Sequence, residues 1–181
     1  MTVKGIAVAD CHGGSAVKKL IRNILALAFV GYMLLLIYFL FFSEEYGRTV
    51  PFDDYQYNFT PFREISRYIR YRDVVGWYAF LINIVGNVVV FMPFGFFVPG
   101  LEKKKSGPVF EFFKITVLGF FFSMAVETVQ LVTKVGCFDV DDLMLNTVGV
   151  ALGCICYKIC HAIFNWFRRC RNRRRENGGT R

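Results

Sequence analysis

Residues 23–42 carry no charged side chain. A helix of that length, rising about 1.5 Å per residue, crosses a hydrocarbon core of about 30 Å, so this run alone commits the chain to a bilayer. Three further apolar runs follow at roughly 74–101, 112–132 and 143–164. Four spans and their connections use nearly all of the 181 residues, which reads as one membrane domain with no soluble module. Only 20% of residues are charged and 55% are hydrophobic, a balance that a soluble domain of this length seldom has. The expected fold class is an all-α membrane protein, a four-transmembrane-helix bundle. It divides into an N-terminal arm (1–22), a membrane domain (23–164, with a 43–73 connection) and a basic tail (165–181). No 20–50-residue period repeats, which argues against a solenoid.

Lys18, Lys19 and Arg22 resemble the basic start of a signal peptide. The apolar stretch after them is too long for one, and Ser43-Glu44-Glu45 is a poor cleavage site, so the first span is expected to stay as an anchor. The six cysteines do not form a disulfide framework, because Cys154, Cys156 and Cys160 lie inside the fourth span. His161 has no second histidine or carboxylate beside it in that span. Neither a metal nor a cofactor is called for.

Charge sets the expected orientation. The N-terminal arm has Lys4, Lys18, Lys19 and Arg22 against Asp10; the second connection has Lys103, Lys104 and Lys105; the tail has seven arginines from Arg168 to Arg181. Four spans put these segments on one side, and basic short segments mark the cytoplasm. The other two connections are balanced or acidic: five arginines against six acids over 43–73, and one lysine against three aspartates over 133–142. Both termini are therefore expected inside, in a multi-pass protein of the cell membrane. The net charge of +8 follows from this asymmetry, and the tail is expected to meet anionic lipid headgroups, with no nucleic-acid partner.

In the first outer connection, Thr60-Pro61 offers an N-cap and a proline at the first helical position. Phe62, Ile65, Tyr68 and Ile69 then recur at helical spacing, with Arg63, Arg67 and Arg70 on another face. This predicts a short amphipathic helix in the outer headgroup layer, its guanidinium groups toward phosphates; a solvated charged face is the plainer alternative.

Polar residues inside spans cost energy in lipid and normally face other helices or a cavity. Span two holds Asn83 and Asn87, span three Glu127 and Gln130, and span four begins with Asp141 and Asp142 and continues to Asn146. At about 1.5 Å per residue, alternating span directions bring these groups to similar depth in the outer half of the bilayer. Two readings stand side by side. One is polar glue between helices, worth about 0.6 kcal/mol per contact, which the Gly149/Gly153 pair suits. The other is a ligand site open to the outer leaflet, for which the ionisable Glu127 is the best argument. The candidate set is Asn83, Asn87, Glu127, Gln130, Asp139, Asp142 and Asn146, with Arg63 on the amphipathic helix. Pro93 removes a helical hydrogen bond from Val89 and predicts a kink in span two.

These residues carry a family likeness. Asn58-Phe59-Thr60-Pro61-Phe62 resembles the Asn-x-x-Pro-Phe segment of VanZ-like proteins. The stretch from Asn83-Ile84-Val85-Gly86-Asn87 to Phe91-Met92-Pro93-Phe94-Gly95 is similar to their Asn-x-x-Gly-Asn…Phe-x-Pro-x-Gly signature. Glu127-Thr128-Val129-Gln130 resembles their Glu-x-x-Gln element. Asp139-Val140-Asp141-Asp142 with Asn146-Thr147-Val148-Gly149 and Gly153 resembles their Asp-x-x-Asp…Asn-Thr-x-Gly-x-x-x-Gly element. The resemblance covers roughly residues 58–153. It implies a membrane factor of a Gram-positive bacterium acting against lipophilic glycopeptides of the teicoplanin type, with membrane lipids, lipid II or the antibiotic itself as partners. The non-enzymatic reading leads. The alternatives are a membrane enzyme acting on a lipid-linked or envelope phosphate, with Glu127 and Asp142 as acid and base, or a small lipid carrier. Against the enzyme, no glycine-rich phosphate loop or nucleophile elbow is present. Against the carrier, the inner half of the spans is apolar.

Overall fold

The computed structural model describes residues 6–42, 54–71, 76–102 and 107–178. The basic stretch 103–105 and the whole of the 43–53 segment lie outside the described residues. Five helices are present among the described residues. Helix α1 is Ile6–Phe42 and the amphipathic helix α2 is Arg63–Arg70. Helix α3 takes in 77–101, as an α turn Trp77–Phe80, a π-helical stretch Leu81–Gly86 and an α-helix Asn87–Leu101. Helix α4 is Pro108–Val132 and α5 is Val140–Gly178. Helices α1, α3, α4 and α5 each contain a stretch long and apolar enough to cross a membrane. Of the segments read as arm and tail, the described residues 6–22 and 165–178 are helical continuations of α1 and α5. Pro108 starts α4 at a first-turn position, where its missing N–H costs nothing, one turn ahead of the expected span.

Helices α3 and α5 run parallel and touch backbone to backbone. A Cβ at Gly149 would stand 2.2 Å from the Val88 carbonyl oxygen, and one at Gly153 would stand 1.9 Å from that of Met92. From the other side, a Cβ at Gly95 would stand 1.9 Å from the Val150 carbonyl oxygen. Three glycines thus let two main chains meet where any side chain would hold them apart, the small-residue packing that membrane helices use in place of a hydrophobic drive. Helix α4 packs antiparallel to α5 through a side chain instead, Gly119 accommodating that of Val150.

The buried centre is Leu36, Phe91, Phe94, Ile115, Val150 and Cys154, with Phe94 and Phe122 stacked at 5.0 Å between ring centroids. Around it the large apolar side chains point outward, among them Leu27, Leu34, Phe113, Phe121 and Ile163, as a lipid-facing surface requires. Helix α1 is the least embedded. The Tyr32 hydroxyl donates to the Val90 carbonyl at 2.9 Å, one residue from the Val89 carbonyl that Pro93 deprives of its helical donor.

Two expectations change. The regular α-helix expected through span two is interrupted: Asn83 lies in the π-helical stretch Leu81–Gly86, so the α-helical register holds only from Asn87 onward. Helix α2 does not begin at Thr60-Pro61. The Thr60 N–H donates to Asn58 Oδ1 at 3.1 Å in a local turn, Phe62 takes a left-handed conformation at φ 63°, and the helix starts at Arg63.

Candidate functional site

The polar residues gather where α3 and α5 begin and α1 and α4 end. A two-residue parallel pair, β1 (Tyr57–Asn58) with β2 (Phe138–Asp139), ties the segment before α2 to the segment before α5.

Three aspartates in one short stretch do three jobs. Asp139 Oδ1 accepts from the Asp141 N–H at 2.8 Å, capping α5. It also accepts from Asn58 Nδ2 at 3.2 Å. Asp141 turns the opposite way and is only 1% exposed. Its carboxylate accepts the N–H groups of Phe62, Glu64 and Ile65, the last two at 2.8 and 3.1 Å. A residue of α5 therefore caps α2, supplying the partners that a helix N-terminus lacks by itself. Asp142 faces α3 and accepts from Asn87 Nδ2 at 2.6 Å.

Helix α4 completes the layer. Glu127, 3% exposed, accepts the Asp139 N–H at 3.3 Å. One turn deeper, Asn146 is buried and donates through Nδ2 to Ser123 Oγ at 2.9 Å, while its Oδ1 has no hydrogen-bond partner among the described residues. Asn83 is half-buried in the π-helical stretch.

Of the residues singled out by sequence, Glu127 meets Asp139 directly, Asn87 meets Asp142, and Asn146 lies against Ser123, one turn from Glu127 on α4. Two do not join them. Gln130 turns its amide to the Leu40 carbonyl at 2.9 Å, fastening α4 to the end of α1. Arg63 is exposed, and Arg67, one turn on, pairs with Glu64 at 2.6 Å instead. The candidate set omits Asn58, which the Asn-x-x-Pro-Phe likeness already contains, together with Ser123 and the gripping role of Asp141. Ser123 sits four residues before Glu127, a spacing that would have found it.

The layer is strongly acidic. Burial raises the Asp139 pKa above the ordinary carboxylate range, against the opposing pull of the Asp141 N–H and Asn58 and with a further rise from the Asp141 charge. The Cys137 thiol, beside β2, is pushed up to about 11, chiefly by burial and then by the negative field of Asp139, Glu127, Asp142 and Glu64. Among the described residues no group of three or more His, Cys, Asp or Glu side chains is arranged to hold a metal ion. The layer offers instead a set of buried acceptors: Glu127, Asp139, Asp141 and Asn146.

The VanZ/LLP1 family model matches residues 29–161. Protein VanZ of Enterococcus faecium is 28% identical over 150 residues, covering 82% of this chain and 80% of that protein. No solved structure matches the chain. The matched region holds the glycine contacts of α3 and α5 and every residue of the acidic layer, from Asn58 to Asn146. The chain belongs to the VanZ/LLP1 family.

Proposed function

We propose that this VanZ-like membrane protein lowers the action of lipophilic glycopeptide antibiotics of the teicoplanin type at the outer leaflet of a Gram-positive cell membrane. In this reading both termini are cytoplasmic, and lipid II or the antibiotic itself meets the end of the bundle that carries the acidic layer. The observation that carries the proposal is the buried carboxylate layer joining α2, α3, α4 and α5, in which Asn146 Oδ1 is an acceptor left open to a donor. Glue alone is served by neutral amides, whereas Glu127, Asp139 and Asp141 keep ionisable groups in the interior at the cost of desolvation.

The test is antibiotic susceptibility in a sensitive Gram-positive host expressing the protein. Wild type is expected to raise teicoplanin tolerance more than vancomycin tolerance. Glu127→Gln and Asp142→Asn keep the acceptor oxygens for the Asp139 N–H and Asn87 but remove the charge. Glu127→Gln is expected to abolish most of the difference between the two drugs at unchanged protein abundance. Full protection by both variants would return the layer to structural glue, and an inert wild type at normal abundance would sink the antibiotic reading.

Orientation is tested with an impermeant maleimide on protoplasts. In a variant keeping only Cys137, labelling is expected from outside, slow at neutral pH and rising about tenfold per pH unit, because the thiolate is the reactive form and the pKa lies near 11. In a variant keeping only Cys170, on the far part of α5, labelling is expected only after permeabilisation. Labelling of Cys170 on intact protoplasts would invert the topology.

A further inference from the structure

Helix α2 is held by its N-terminus and keeps its arginine face exposed. Arg63, Arg67 and Arg70, spaced by four and three residues, lie on one face and are all exposed. Neighbouring side chains at this spacing stand about 5–6 Å apart at Cβ, a ladder of three guanidinium groups one turn apart. Beside it Phe62, Ile69 and Tyr71 are exposed apolar groups, and Phe59 extends the patch toward β1. Only Arg67 has an acid opposite, Glu64 at 2.6 Å; among the described residues neither Arg63 nor Arg70 makes an ion pair. The grip of Asp141 fixes α2 beside the first turn of α5, at one end of a stretch long and apolar enough to cross a membrane.

We infer that α2 is a binding site for the phosphate groups of anionic membrane lipids, with Glu64 as a built-in competitor that occupies Arg67 until a phosphate displaces it. Guanidinium is the side chain suited to this, because its planar fork gives two parallel hydrogen bonds to phosphate oxygens. The exposed apolar groups beside the ladder favour a partner whose anionic head sits on an apolar layer, which an acidic soluble protein does not offer. The site is independent of the antibiotic reading and of which leaflet α2 faces.

The chain has two tryptophans, and they isolate the site. Helix α2 packs against the first turn of α3, which carries exposed Trp77, whereas Trp166 lies near the far end of α5 beside the basic tail. Full-length Trp166→Phe protein is reconstituted in phosphatidylcholine vesicles containing either brominated phosphatidylglycerol or brominated phosphatidylcholine. Quenching then reports lipid at Trp77 alone. Brominated phosphatidylglycerol is expected to quench more strongly, and added salt to reduce the difference. Arg63→Gln and Arg70→Gln are each expected to lower the relative association of phosphatidylglycerol about fivefold, the effect of one basic residue at an anionic surface. Glu64→Gln, which leaves the backbone bond to Asp141 intact, is expected to raise it by freeing Arg67. Equal quenching by the two lipids, or a preference unchanged in the arginine variants, overturns the site. An unchanged or weaker preference in Glu64→Gln overturns the role of Glu64 as the competing anion.

Discussion

Alanine at Gly153 is expected to separate α3 from α5 and leave little folded protein. The added methyl carbon would begin 1.9 Å from the Met92 carbonyl oxygen, and reaching even 3.0 Å requires a retreat of more than 1 Å by one main chain from the other. No side chain can rotate to absorb this, because the obstacle is backbone. The same shift would pull Gly149 from Val88 and Gly95 from Val150, so the three contacts fail together. The cost is expected to reach the top of the range for an overpacked core, about 3 kcal/mol or more. Thermal unfolding of the purified protein in mild detergent, followed by exposure of the buried Cys154 thiol, measures it. Gly31→Ala is the control, since nothing lies within 4 Å of a Cβ there and a mid-helix glycine is a poor helix former. A Gly153→Ala protein as stable as Gly31→Ala would show that the close approach of α3 and α5 is wrong.

Asp141→Ala is expected to release α2 while the four spans stay assembled. The substitution strands three N–H groups, of Phe62, Glu64 and Ile65, each of which now donates to a buried carboxylate. Bonds to a charged acceptor contribute about 1.5–3 kcal/mol each, more than an eight-residue helix can replace by its own propensity. Asp141→Asn should be intermediate, since one oxygen remains as acceptor and an amide group faces the helix N-terminus instead of a charge. Hydrogen exchange over 54–71 is the measurement, with faster exchange expected there and unchanged protection in α3 and α5. If protection over 54–71 survives in Asp141→Ala, the grip of α5 on α2 is not what holds it.

The spans were legible because an apolar run of twenty residues needs no partner to be recognised. The acidic layer was legible in depth for a related reason: a fixed rise per residue converts sequence position into height in the bilayer. Direction around the axis was not. Gln130 follows Glu127 by three residues, a rotation 60° short of a full turn, enough to face α1 and Leu40 rather than the layer. The role of Asp141 depends on partners 76 to 79 residues earlier in the chain, brought to it by the pairing of β1 with β2 and the bond from Asn58 to Asp139. Thr60-Pro61 reads locally as a helix start, but Asn58 takes the Thr60 N–H and the turn is spent before the helix begins. The GxxxG pair announced close packing, and only the structure supplied Gly95 as its counterpart on α3.

The backbone contacts at Gly95, Gly149 and Gly153 join α3 to α5. Met92 and Gly153 are 61 positions apart (153 − 92), so α3 enters the bilayer well before its partner has been synthesised. At about 5–20 residues per second, a ribosome needs roughly 3–12 s to cover that distance. During this interval Gly95 offers an open notch to lipid or to the insertion machinery, and Asn87 has no Asp142 to donate to. Assembly of this bundle is therefore a late event in biogenesis. A nascent chain stalled before α5 would be an inserted but unpacked set of helices, exposed to membrane quality control until its final helix arrives.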